Sequence, residues 1–277
     1  AGISGYGCIA IRPIVSFSRL PTPSRGAYSR PSISGGMEPT TTGRFRVLDR
    51  RPDGTILLVD LADAIAAATG EDPDADLRPI AVTPPAVDDP ETDAHDLDAE
   101  TVDTIRSLEP GYVVEAELAW DDSDAAFLDC TITNRTRIQY ADGVTGLFEK
   151  AQETWHDAQV AGEAMNSAVT YSTGKEPNGV VYVFAKQDPP RDLFEEFRTG
   201  ATPIEPLIQR VNATHDGGAA DTTADDDAVD NASDDEAERA VFVLNPADEP
   251  FVVVYIVFRK DGMLAQTVSD TYGLPAI

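Results

Sequence analysis

Glu153-Thr154-Trp155-His156 sets a carboxylate and an imidazole three residues apart, the spacing with which helices of di-iron bundles present their ligands. Such a centre needs a second Glu-x-x-His and further carboxylates. His95 and His215, the other histidines, have no Glu three residues earlier. No metal is expected, and a surface helix accounts for His156. A second polar run, Arg191-Asp192-Leu193-Phe194-Glu195-Glu196-Phe197-Arg198, offers two guanidinium forks that match a carboxylate or phosphate. The same spacing also pairs Arg191 with Glu195 at i, i+4 and Arg198 with Glu195 at i, i+3, each worth a few tenths of a kcal/mol on an exposed helix. An enzyme reading takes Glu153, His156, Arg191 and Asp192 as its catalytic candidates and requires them to meet in one pocket.

Other reaction classes lack their residues. No Gly-x-Ser-x-Gly elbow is present to seat a nucleophilic serine, and no Gly-x-x-x-x-Gly-Lys or Gly-x-Gly-x-x-Gly cradle is present for a phosphate; no cofactor is expected. Cys130 falls on the inward side of an alternating segment and reads as core filler, because a reactive thiol needs exposure and a cationic neighbourhood. Asn134-Arg-Thr136, Asn212-Ala-Thr214 and Asn231-Ala-Ser233 match the glycosylation sequon, but nothing in the sequence directs export.

Arginines supply a different possibility. Arg44, Arg46, Arg50 and Arg51 crowd one predicted hairpin, and Arg135 and Arg137 follow a later strand. A small β-barrel of the OB type binds single strands through a basic groove with stacked aromatics. On that reading Arg44, Arg46, Arg135 and Arg137 share a surface. Counterion release is weak in molar salt, which counts against it.

The elements that must position these groups are legible from pattern. Phe45 and Val47 alternate into a turn at Pro52-Asp53-Gly54, after which Ile56 and Leu58 resume, as in a hairpin. A short helix over 63–69 stops at Gly70. Tyr112, Val114, Ala116, Leu118 and Trp120 mark a half-buried strand, and Ala126, Leu128, Cys130 and Ile132 mark its return. Helical spacing of Leu147, Ala151, Trp155 and Ala158 predicts a helix that lays one face on a sheet. Strands are expected over 167–173 and 179–185, helices over 191–198 and 203–212, and strands over 240–244, 251–258 and 263–269. Phe251-Val-Val-Val-Tyr-Ile-Val-Phe258 is apolar throughout, which suits a central strand covered on both faces. The expectation is an α+β protein: antiparallel hairpins forming a small barrel-like N-terminal half over 37–140, then a helix-covered antiparallel sheet over 141–277.

Charge frames all of this. The chain has 49 Asp+Glu against 21 Lys+Arg, a formal net charge of −28. At about 1 M salt the Debye length shrinks to about 3 Å, so such self-repulsion is tolerable in a salt-rich cytoplasm and surplus carboxylate keeps the molecule soluble. Two acidic segments, 70–104 and 213–240, are poor in large apolar residues and read as disordered loops. The first 36 residues hold four Arg and no acid; they read as a mis-assigned gene start before Met37, or as a disordered basic arm. No stretch approaches the ~20 apolar residues of a spanning helix, and two cysteines are too few for a disulfide framework. A cytoplasmic protein is expected, with no membrane contact and with a protein or a nucleic acid as its possible partner.

Gly43-Arg-Phe-Arg-Val-Leu48, Leu108 to Trp120, Leu147 to Trp155 and Gly179 to Gln187 together resemble an uncharacterised haloarchaeal family, a domain of unknown function, over about 43–270. The resemblance implies a haloarchaeal, cytosolic source and brings no activity or site residues with it. The function that remains is a non-catalytic binding or regulatory protein, with the nucleic-acid module and the carboxylate/His/Arg enzyme as rivals.

Overall fold

The computed structural model describes residues 39–72, 77–85, 97–121, 124–187, 191–215 and 237–277. The 1–36 segment and the centres of both acidic segments, to which the disorder expectation applied, lie outside the described residues. Residues Glu38–Ile277 form one compact unit of α+β type, with two sheets and six helices among the described residues.

Strands β1 (Thr40–Arg50) and β2 (Ile56–Asp60) form the expected hairpin. Its turn closes where the Asp53 carboxylate accepts the Thr55 N–H at 2.9 Å. Asp60 then caps helix α1 (Leu61–Thr69). The acidic segment 70–104 is not all loop: it contains strand β3 (Ile80–Thr83) and most of helix α2 (Ala99–Arg106). β3 has only four residues and α2 is short and mostly polar, so neither leaves a periodic apolar signal. Asp98 accepts the Thr101 N–H at 2.7 Å and starts α2, an N-cap of ordinary kind. Strands β4 (Val113–Asp121) and β5 (Asp124–Asn134) complete the first sheet. β1 pairs with both β2 and β4, β2 with β3, β3 with β5 in parallel, and β5 with β4, so the five strands close into a ring. Phe45, Val47, Ile56, Leu58, Val114, Leu118 and Phe127 fill it, with Ile105 of α2.

One strand is out of phase with expectation. Ala125 and Phe127 are buried in β5, whereas Ala126 and Leu128 are only partly so. Between Glu117 and Leu118 of β4 the partner jumps from Asp129 to Phe127, so Leu128 is an extra residue in β5, and it swaps the face of the β5 residues before it. Cys130, beyond the bulge, is inward as expected, 3% exposed.

The second sheet comprises β6 (Arg137–Val144), β7 (Met165–Tyr171), β8 (Pro177–Ala185), β9 (Ala240–Pro246) and β10 (Phe251–Val257), in the order β6-β9-β10-β8-β7. It is mixed rather than antiparallel, because β6 runs parallel to β9. β6 alternates too weakly to read from sequence. β10 is central, as its apolar run implied. Phe251, Val253, Tyr255 and Val257 cluster with Ala151 of α3 (Glu149–Ala161) and with Ala265 and Val268 of α6 (Met263–Tyr272). The alternate residues Val252, Val254 and Ile256 cluster with Phe194 and Phe197 of α4 (Leu193–Thr199) and with Ile204, Leu207 and Ile208, the last two in α5 (Glu205–His215). Each buried Val, Leu, Ile or Phe among them contributes about 1.5–3 kcal/mol relative to exposure.

The segment expected as a last strand over 263–269 is instead the helix α6. Gly262 at its start is extended, φ −78° and ψ 161°, and Leu264, Ala265, Val268 and Tyr272 fall on one helical face. Among the described residues no helix is long and apolar enough to cross a membrane.

Candidate functional site

The four residues of the enzyme reading do not meet. Glu153 and His156 are exposed on α3, where Glu153 takes Lys150 Nζ at 3.2 Å. Arg191 and Asp192 lie at the start of α4, and α3 and α4 contribute to clusters on opposite faces of β10. The pairing within the polar run also differs from expectation. Arg191 precedes the helix, so its Nε reaches both oxygens of Glu196, at 2.6 and 2.8 Å, rather than Glu195. Glu196 is held below its ordinary pKa, chiefly by that hydrogen bond. Asp192 accepts the Glu195 N–H at 3.0 Å and so serves as a cap.

Nor do the four arginines of the nucleic-acid reading share a surface. Arg46 is 1% exposed. Its Nε and Nη2 grip the Glu205 carboxylate, the latter at 3.0 Å, and its Nη1 donates to Gly111 O at 2.8 Å. Alternation along β1 turned Arg46 away from the ring interior, but α5 covers that side. Leu48, Leu57 and Val59, each 3% exposed, form a small cluster on the outer face of the hairpin. Arg137 pairs with Glu109. Arg135 is exposed, with its guanidinium 5.5 Å from the Tyr112 ring centre, and Arg44 is half-buried.

What the fold does bring together is a belt of polar groups at one end of the second sheet, where β6, β8 and β9 finish and β10 begins. Asn245 Nδ2 donates to Asp142 Oδ1 at 2.7 Å across the parallel pair. Asn245 Oδ1 is buried and has no partner among the described residues. Lys186, just past β8, donates to Pro246 O at 2.6 Å. Partial desolvation pulls the Lys186 pKa down, against the opposing pull of Asp142, Asp192 and Glu249. The belt continues through Glu195, which feels Asp142 and is held below its ordinary pKa mainly by Arg198. Arg198 Nε reaches Glu195 at 2.9 Å, and its Nη1 reaches Asp49 of β1 at 3.2 Å. Tyr140, partly buried beside that pair, has its pKa raised, first by desolvation and then by Asp49.

Sequence reasoning found the α4 part of this belt and missed Asp142, Lys186 and Asn245. They are single polar residues at strand ends, far apart in the chain, and only the topology joins them. Asp142 and Lys186 are exposed. A cleft of about 170 Å³ lies at the other end of the sheet, lined by Ser172, Asn178, Phe258, Arg259, Met263 and Leu264 among others, and it contains none of the belt. Among the described residues no group of three or more His, Cys, Asp or Glu is placed to hold a metal ion.

No curated protein and no solved structure matches the chain. Residues 37–277 match the profile described as "Family of unknown function (DUF6663)", and the chain belongs to that family.

Proposed function

We propose that this chain is a non-catalytic binding protein of a salt-rich haloarchaeal cytoplasm, and that the belt around Lys186 is its recognition surface. One observation carries the reading: the belt's polar groups are hydrogen-bonded to neighbouring groups on a solvent-accessible surface, while the candidate acid, base and guanidinium groups sit on opposite faces of a sheet. Catalysis needs reacting groups held together in a water-excluding site. Recognition needs only a surface of matched polarity. Asp142, Asp192 and Glu249 outnumber Lys186 there, so a basic segment of a protein partner is the matching chemistry. In molar salt it would bind through short charge-assisted hydrogen bonds rather than long-range attraction.

The test is to purify the chain from a haloarchaeal host without leaving molar KCl and to record its native mass with any bound partner. A partner retained by the wild type and released by Asp142→Asn or Glu249→Gln supports the reading. Turnover of any substrate that is abolished by Glu153→Gln or Arg191→Gln would sink it.

We further infer that two halves make up one unit, meeting just before β6 at Arg137 rather than at 140, the first half an OB-type barrel. The strand order β1-β2-β3-β5-β4, the parallel β3–β5 pair and a helix between β3 and β4 support this. In OB barrels the face around strands 2 and 3 takes the nucleic acid. Here Leu57 and Val59 of β2 are buried on that outer side, which disfavours the nucleic-acid rival. A 260 nm excess in the purified protein that nuclease removes would restore it.

A further inference from the structure

The second sheet ends in two outer strands, and they are treated differently. β6 is guarded on its outer side. The Ile138 N–H donates to Pro110 O at 2.7 Å, the strand carries Arg137 and Asp142, and its register shifts between Asp142 and Val144. Charges, bulges and covering segments are the devices that keep a sheet edge from recruiting another strand. β7, Met165–Tyr171, reads Met-Asn-Ser-Ala-Val-Thr-Tyr, with no charge and no proline, and its register is regular until Thr170.

Its free side can be read from the ladder. The Ala185 N–H donates to Ala164 O at 2.8 Å, so Ala164 and, by alternation, Asn166 and Ala168 direct their backbone groups at β8. Met165, Ser167 and Val169 aim theirs outward, and no backbone hydrogen bond reaches them there from the described residues. The Ser167 N–H is held locally, by Asn166 Oδ1 at 2.8 Å, a bond that an incoming carbonyl replaces like for like.

Exposed apolar side chains flank both ends of the strand. Among the described residues the exposed large apolar side chains are Ile65, Val160, Tyr171 and Met263, the last three at 76%, 62% and 82%. Val160 is in the last turn of α3, just before β7; Tyr171 ends β7; Met263 lines the cleft with Ser172, which follows it.

We propose that β7 is a pairing edge for a second copy of this chain, antiparallel about Ser167, so that two five-stranded sheets join into one. The register is self-complementary: Met165 faces Val169 of the other copy, and each Ser167 faces its counterpart. Every outward N–H then meets an outward C=O. A second copy fits better than a charged partner because β7 is uncharged in a chain of net charge −28, so no like charges oppose one another within the pairing. The remaining repulsion between two acidic bodies is screened within about 3 Å at 1 M salt, which makes the dimer salt-dependent. This inference is independent of the belt around Lys186.

The experiment is light scattering on the full chain across a concentration series in molar KCl, repeated with Val169→Lys, together with an oxidative cross-link through Ser167→Cys in a Cys8→Ser background. The expected results are a dimer that dissociates in dilute salt, a shift to monomer with Val169→Lys that melts at the temperature of wild type diluted to monomer, and a disulfide-linked dimer with Ser167→Cys. If Val169→Lys melts below that temperature, the cross-link alone decides. A monomer at every concentration in molar KCl overturns the proposal. So does a dimer that gives no Ser167→Cys cross-link.

Discussion

Arg46 shows how burial reverses what a residue type suggests. It sits in an arginine-rich hairpin and alternation turns it away from the ring interior, yet it is 1% exposed and clasped by Glu205, which also accepts Gln209 Nε2 at 2.8 Å. Removing one partner of a buried pair strands the other charge, at a cost of about 3–5 kcal/mol. We expect Arg46→Met to lose about that much stability in urea unfolding. Arg46→Met/Glu205→Met should recover most of it, because an apolar pair of similar volume needs no solvation. A single variant that unfolds at the wild-type urea concentration would show that the pair does not hold α5 to the hairpin. Cys130 gives a second residue-scale test. Burial, with Asp129 adding to it, pushes its thiol pKa up to about 12, so thiolate is scarce at neutral pH. Peptide-mapped alkylation at pH 8 should leave Cys130 unmodified in the folded chain and modify it in urea. The inward position of Cys130 was readable from alternation, whereas the burial of Arg46 was not, since no local pattern says which distant helix covers an outward face.

At the scale of elements, the sequence exposed what is periodic and concealed what depends on partners. The hairpin, α3 and the central β10 carried strong local signals. β6 carried none, and α6 was mistaken because Met263, Ala265 and Thr267 also suit a period of two. The phase of β5 was lost to a bulge that only its pairing with β4 reveals. Gly111 marks the join of the two sheets. Its φ is 101°, and an added Cβ would meet Thr136 O at 2.5 Å and Ile138 N at 2.6 Å. Gly143 has φ 67° and open space around it. Gly143→Ala should therefore cost only about 1 kcal/mol, from backbone strain, and Gly111→Ala several times that, from strain plus collision with backbone that cannot yield. Thermal melts of the two variants should separate clearly; equal losses would mean that the join is plastic. Turns and caps also set a pH dependence. Asp53, Asp98, Glu195 and Glu196 are held below their ordinary pKa values, the two aspartates by backbone N–H donors and the two glutamates by arginines. Each therefore contributes stability that is complete above its unfolded pKa and lost as pH falls through the folded value. In molar KCl, melting temperature should be level near neutrality and fall from about pH 4.5 downward, the ordinary value of the glutamates.

The whole molecule adds a term of opposite sign, which is why salt must be fixed in that experiment. With a net charge of −28, lowering pH in dilute buffer first relieves repulsion among exposed carboxylates and stabilises the fold, which masks the loss at the caps. Concentrated salt removes the repulsion instead. Composition announced this acidity at once, but not how it is divided between a screened surface and an unscreened interior. Arg46 and Glu205, both 1% exposed, lie where counterions do not reach, and buried pairs are screened far less than exposed ones. Total stability and pair coupling should therefore respond differently to salt. We expect the urea midpoint of the wild type to rise steeply from tenth-molar to molar KCl as repulsion is screened. Over the same range the interaction energy of Arg46 with Glu205, from a double-mutant cycle, should stay constant within about 0.5 kcal/mol. A coupling that fell along with the repulsion would place the pair in contact with solvent and would reopen the outer face of the hairpin as a binding surface. A constant coupling on a rising midpoint would separate two uses of charge in this protein: a surface that depends on salt, and an interior clasp that does not.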